Sequence, residues 1–84
     1  MRKMEFKMER TGLLEVGQQV TVTESQLPAS YYYTIVPAVA MSKNYPPHKR
    51  LVSQMGTVKA IHATPRGYYA QVEFDEEDVS EDDR

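Results

Sequence analysis

The side chains able to carry chemistry in this chain are few and widely separated. The histidines are His48 and His62, and there is no cysteine. A metal site needs three or four ligands at defined spacing, and no HxH, CxxC or HExxH pattern occurs. A pair such as Ser42 or Ser53 with a histidine lacks a third, orienting group, and there is no GxSxG turn. We therefore expect no catalytic residues, no metal, no cofactor and no enzymatic activity.

Six tyrosines offer binding chemistry instead. Adjacent residues of a strand point to opposite faces, so one of residues 31–33 and one of the Tyr68–Tyr69 pair must face outward. An outward tyrosine gives contact area at low entropic cost and a hydrogen-bonding tip. With nearby bases, such tyrosines predict a partner-binding surface on the outward face of the last hairpin and the loop at 42–50. The expected members are Tyr32, Tyr69, Lys59, Arg66, Lys49 and Arg50.

Three interpretations of these tyrosines stay open at this point. They are expected first to bind another protein, because aromatic residues and arginine dominate such surfaces. They also suit stacking of single-stranded RNA beside basic loops, in a module associated with RNA or the ribosome. Alternatively, they only cover strand edges without binding anything, and the chain is a structural subunit that self-associates through an exposed edge strand such as residues 4–9.

Charge is distributed unevenly along the chain. Residues 75–84 contain seven acids and one base, whereas residues 1–74 contain nine bases and five acids. We expect a folded domain over 1–75 and a disordered acidic tail over 76–84, because so polar a segment has no core to bury. The tail is expected to solubilise the protein, or to fold back over the basic loop and compete with an anionic partner.

Hydrophobic periodicity predicts strands throughout and no convincing helix. Residues 4–9 alternate apolar and charged side chains, which favours a short edge strand over a helix or a frayed start. Val20 and Val22 alternate with threonines. Residues 24–30 and 42–50 are loops by composition, and residues 50–55 are a short strand or a 3₁₀ turn. The remaining strands are expected at 31–36 and in a hairpin over 56–75.

The hairpin is the most detailed expectation. Its second strand predicts a core face of Tyr68, Ala70, Val72 and Phe74, opposite an outward face that begins at Tyr69. Its first strand carries its two large apolar residues three apart, an odd spacing that a β-bulge between Val58 and Ile61 would correct. Between the strands, Pro65 suits the first central position of a type I turn, and Gly67 suits a positive-φ position that closes a bulge.

The chain resembles SH3-like barrels over roughly residues 12–75. Three motifs carry the resemblance: Leu14-x-Val16-Gly17-x-x-Val20-x-Val22, Gly56-x-Val58-x-x-Ile61, and Tyr69-x-x-Val72-x-Phe74. The last two look like the glycine-led hairpin of KOW and Tudor-type modules. The resemblance implies an all-β, small SH3-like barrel of about five antiparallel strands and transfers no function, since such folds host many unrelated activities. The tryptophan of peptide-binding SH3 domains is missing, which argues against recognition of proline-rich peptides.

We therefore expect a non-catalytic, cytoplasmic interaction module that exists as a monomer or weak homodimer. The longest apolar run, residues 35–41, is far too short to span a bilayer and contains a proline, so no membrane contact is expected. A second protein is the expected partner, with nucleic acid as the alternative.

Overall fold

The computed structural model describes residues 1–10, 12–36 and 40–77. In these ranges antiparallel strands form a closed barrel with the order β1–β4–β3–β2–β5–β6, and β6 pairs with β1 to complete it. The strands are β1 (Arg2–Met8), β2 (Gln19–Gln26), β3 (Tyr31–Val36), β4 (Ala40–Ser42), β5 (Met55–Thr64) and β6 (Gly67–Phe74), with a 3₁₀ turn at Pro47–Lys49. The predicted all-β barrel is confirmed. It has six strands and not five because β4, only three residues long, pairs between β1 and β3.

The barrel interior is filled by the inward faces of alternating strands. In β1 buried and exposed residues alternate without interruption, and in β6 the inward set ends at the fully buried Phe74. The rings of Phe6 and Phe74 meet at a centroid distance of 6.2 Å, tilted by 52°. Gly56 lies where a side chain has no room, since a Cβ there would stand 2.7 Å from the Val72 side chain. The largest fully buried apolar side chains are Phe6, Met8, Tyr33, Ile35, Val58, Val72 and Phe74.

The first strand is correctly predicted as a strand but wrongly predicted as an edge. β1 pairs with β6 from Arg2↔Phe74 to Met8↔Tyr68, and its second half also pairs with β4. Its local periodicity indicates a strand but carries no information on a partner strand more than sixty residues away. Because the barrel closes through β1, residues 6–8 are paired on both margins and residues 2–5 on the margin that faces β6.

The hairpin of β5 and β6 matches its prediction in most details. The register shift falls between Val58 and Ala60, so the predicted bulge is confirmed, and Ile61 packs against the core. Thr64 pairs with Gly67 across a two-residue connection, and Gly67 adopts a φ of +139°. Tyr68 was wrongly assigned to the core: it is 36% exposed because the core ends at Ala70, one step deeper in the barrel.

The two predicted loops are more ordered than their composition suggests. β2 continues to Gln26, which leaves a short connection at 27–30. In the 42–50 loop, Tyr45 is buried and exchanges two backbone hydrogen bonds with Tyr31. Residues 50–54 are neither strand nor 3₁₀ turn, because the amides of Leu51, Val52 and Ser53 bond to side chains and not to a neighbouring strand.

The predicted acidic tail lies mostly outside the described residues, since 78–84 are not among them. Its first member, Glu76, is half-buried and contacts the barrel directly. The carboxylate accepts hydrogen bonds from the Val52 and Ser53 amides and pairs with Arg2.

Candidate binding site

The outward face of β1 brings three charged side chains into one line. Lys3, Glu5 and Lys7 alternate with buried residues, so all three point away from the core. In the register Lys7 lies opposite Met41 of β4 on one side and Tyr69 of β6 on the other. A continuous outward row therefore crosses neighbouring strands at the level of Lys7.

This row lies in a shallow groove of about 720 Å³ across β4, β1 and β6, which we call the basic groove. Met41 and Tyr69 supply apolar surface, and Met41 is 46% exposed. Its one lining carboxylate is that of Glu5. The lining cations are Lys3, Lys7, Lys43 and Arg66. Four cations and one carboxylate give the groove a net positive charge, although the whole chain is net negative.

The acid of the groove already has a partner. The Glu5 carboxylate lies 3.3 Å from His62 Nε2, and the His62 ring stacks on Tyr69 with centroids 5.7 Å apart and an interplanar angle of 19°. This contact places Glu5 beside the hairpin. Even with Glu5 counted as a full negative charge, the four cations leave the groove attractive to an anion.

Three of the six tyrosines are used by the fold itself. Tyr33 is buried, donates its hydroxyl hydrogen to Glu24 at 3.0 Å and accepts from the Leu51 amide at 2.7 Å. Burial raises the pKa of Tyr33 to about 12; the Leu51 amide opposes this effect and the Glu24 carboxylate adds to it. Tyr45 is buried, and the Arg50 guanidinium covers the Tyr31 ring at 4.7 Å from its centroid. These rings hold loops against the barrel and are not a stacking platform.

The six predicted binding residues fall into separate places. Tyr69 and Arg66 line the basic groove. Lys59 lies at the bulge of β5 and approaches Glu73 to 3.8 Å. Tyr32 is half-buried on β3, and the order of the barrel places β4 and β1 between it and Tyr69.

The two predicted binding residues of the 42–50 loop, Lys49 and Arg50, take part in contacts that hold the loop to the barrel. Arg50 donates two hydrogen bonds to the Glu24 carboxylate, at 2.7 and 2.8 Å, and this pairing lowers the pKa of Glu24 from its ordinary value. The carbonyl of Lys49 accepts a hydrogen bond from the Arg2 guanidinium. These two residues therefore lie apart from the groove that contains Tyr69 and Arg66.

Sequence reasoning missed the cations of β1 as members of the site. Lys3 and Lys7 stand two positions on either side of Glu5, and this alternation predicts one solvent-facing row once residues 2–8 are read as a strand. What the alternation does not supply is the neighbour, because β4 and β6 reach β1 from distant parts of the chain.

No family model, curated protein or solved structure matches this chain. Within 1–10, 12–36 and 40–77, no group of three or more histidine or acidic side chains is placed to hold a metal ion. The same residues include no helix with the length and apolar character needed to cross a bilayer.

Proposed function

We propose that this protein is a non-catalytic interaction module, cytoplasmic in location, that binds an acidic segment of another protein in the basic groove. The observation that carries the proposal is the meeting of Lys3, Lys7, Lys43 and Arg66 on one concave strip beside Met41 and Tyr69. Complementary charge accelerates encounter and fixes register, while the apolar side chains and the lysine stems provide contact area.

An acidic peptide suits the groove better than single-stranded nucleic acid. Unspecific binding of single strands uses successive exposed aromatic rings in a basic channel. Here Tyr69 is the one half-exposed ring of the lining and already stacks on His62, while Tyr45, the other tyrosine there, is buried. The groove therefore offers charge and apolar surface but no series of free rings.

The test compares two single-charge variants of equal net charge. Lys7→Gln removes a cation from the middle of the groove, whereas Lys59→Gln removes one outside it, beside Glu73. We expect Lys7→Gln to weaken binding of a fluorescein-labelled poly-glutamate peptide by roughly three- to tenfold, about 1 kcal/mol. Lys59→Gln should leave the affinity close to that of the unmodified protein, measured by fluorescence anisotropy at low salt.

Equal weakening by both variants would show that only overall charge matters, and would contradict a defined groove. An oligothymidylate probe tests the other class of partner in the same assay. If it binds more tightly than the peptide, with an affinity that falls steeply as salt rises, the partner is nucleic acid and the protein-binding proposal is wrong.

A further inference from the structure

The seam between β2 and β5 is paired over only part of its length. Gln19, Val20 and Thr21 pair with residues 55–57, and the Val22 amide then donates to the Gln54 carbonyl at 2.8 Å. Beyond this bond, residues 50–53 turn away from β2. An opening of about 590 Å³ results, lined on one side by residues 21–24 and on the other by residues 50–54. We call it the β2 opening.

Two hydrogen bonds on the opposite side of β3 show where the β2 backbone points. The Tyr33 amide donates to Ser42 Oγ at 3.0 Å and the Tyr31 amide to the Tyr45 carbonyl at 2.8 Å, so both amides face away from β2. Their register partners, Glu24 and Gln26, therefore occupy non-hydrogen-bonded positions of the β2–β3 ladder. The backbone N–H and C=O groups of these two residues face the β2 opening.

The segment across the opening does not satisfy these groups. The Val52 and Ser53 amides donate to the Glu76 carboxylate, with distances of 3.2 and 2.7 Å to Oε1, and the Leu51 amide donates to the Tyr33 hydroxyl. In the part of the chain that the structure describes, no acceptor meets the amides of Glu24 and Gln26. An unpaired row of this kind is a template for an added strand.

We propose that two copies of this chain associate weakly through residues 24–26 of β2, paired antiparallel about a two-fold axis at Ser25. In that register Glu24 of each copy exchanges both of its backbone hydrogen bonds with Gln26 of the other, and the bond from the Val22 amide to the Gln54 carbonyl stays intact. Because the same segment of each copy pairs with the other, the two-fold symmetry limits the assembly to a dimer and leaves no further strand edge exposed. The inference concerns a different face from the basic groove and does not depend on the proposed function.

The side chains along this strand favour a second copy as the occupant. The outward residues, Thr21, Thr23 and Ser25, are uncharged, and the pairing places the two Ser25 side chains opposite each other, a cross-strand pair of the kind that stabilises a ladder. The strand contains no lysine or proline, the residues that commonly block edge pairing. Each Glu24 lies opposite the uncharged Gln26 of the other copy and already forms an ion pair with its own Arg50 at 2.7 Å.

The test uses sedimentation and amide exchange of the full chain over a range of concentrations. We expect reversible dimerisation, together with slowing of exchange at Glu24 and Gln26 as concentration rises. The Thr23 and Ser25 amides, which face β3, should exchange at a rate independent of concentration. Gln26→Pro removes two symmetry-related hydrogen bonds and should raise the dissociation constant at least about tenfold, whereas Gln26→Ala keeps the amide and should not.

Three results would overturn the inference. The first is a protein that stays monomeric at the highest concentration reached. The second is a dimer that Gln26→Pro and Gln26→Ala affect equally, which would place the interface elsewhere. The third is a dimer whose Glu24 and Gln26 amides remain as fast in exchange as in the monomer. A circular dichroism spectrum of Gln26→Pro like that of Gln26→Ala establishes that both variants are folded.

Discussion

Arg2 is a charged residue placed where the barrel has almost no contact with water. Its side chain is 1% exposed, its Nη1 lies 3.3 Å from Glu76, and its guanidinium lies 5.4 Å from the centre of the Tyr45 ring. Its Nη2 donates to the carbonyl of Lys49, and its Nε meets no acceptor among the described residues. A buried charge is tolerated only when it is paired, so Glu76 is required for Arg2 to remain in place.

Glu76→Gln should therefore destabilise the protein at neutral pH by roughly 2 kcal/mol, because it replaces charge-assisted hydrogen bonds by neutral ones. Burial acts to raise the pKa of Glu76, but the Ser53 and Val52 amides and Arg2 together outweigh it and hold that pKa below its ordinary value of 4.5. The charged form thus contributes stability above pH 4.5, and this contribution is lost as pH falls through the lower native pKa.

Chemical denaturation at neutral and acidic pH measures this effect. The stability difference between the unmodified protein and Glu76→Gln should be largest at neutral pH and shrink on acidification. Glu77→Gln is the control, since Glu77 is exposed and lies next in the chain. If both variants lose the same stability, the Arg2–Glu76 contact is not a source of it.

At the scale of single residues, the sequence reveals alternation but not long-range pairing. The inward positions of β1 follow from alternation alone, as does the outward position of Tyr69. Arg2 and Glu76 stand at opposite ends of the described chain, in segments that look polar and unremarkable in composition. Their contact depends on closure of the barrel, which no local pattern of residues encodes.

At the scale of the element, β6 has two faces with different tasks. Its inward residues Ala70, Val72 and Phe74 are fully buried, whereas the outward Tyr69, Gln71 and Glu73 are half-buried. The outward face is partly covered because β1 and β5 flank it with long side chains, among them His62 over Tyr69. One strand therefore supports the core and also contributes to the basic groove.

Two alanine variants separate these tasks. Phe74→Ala should cost about 3–5 kcal/mol, because it leaves a cavity beside Phe6 in the barrel interior. Tyr69→Ala should cost only about 1 kcal/mol, the value of an exposed ring contact, while weakening binding in the groove. Thermal unfolding and peptide anisotropy give the two readouts. Similar unfolding of both variants would mean that Tyr69 belongs to the core.

Elements with strong local patterns were predicted well, and those without them were not. The bounds of β3 match the expected run of tyrosines and β-branched residues, and the odd spacing of Val58 and Ile61 correctly indicated the bulge. β4 was missed because three residues are too few for a pattern to be recognised. Residues 50–54 escaped prediction because their shape depends on Tyr33, Glu24 and Glu76, which come from other parts of the chain.

At the scale of the whole molecule, β1 is an integral strand of the barrel, because it pairs with both β4 and β6. Deleting residues 1–8 should abolish cooperative unfolding, because it leaves one margin of β6 and one margin of β4 unpaired and exposes the core around Phe74. A permuted chain that carries residues 1–8 after residue 77, joined by a flexible linker, should recover the transition, since Arg2 lies opposite Phe74. Denaturant unfolding followed by circular dichroism measures both chains.

A deletion variant that still unfolds cooperatively would show that five strands suffice for a stable fold and that β1 is not required for it. If the permuted chain and the deletion variant both stay unfolded, folding requires β1 at its original position before the other strands in the sequence. The two chains together therefore distinguish the presence of β1 from its position in the sequence.

The pairing of Arg2 with Phe74 also sets a limit on when this protein can fold during synthesis. The seam between β1 and β6 joins the first strand that the structure describes to the last, so the barrel cannot close until residue 74 has left the ribosome. Until then, β1 displays its apolar face and the margin that will pair with β6. Contacts of such long sequence separation slow folding. The charged residues that alternate along β1 line a groove in the folded barrel. Before the barrel closes, the same charges disfavour pairing of β1 with other chains.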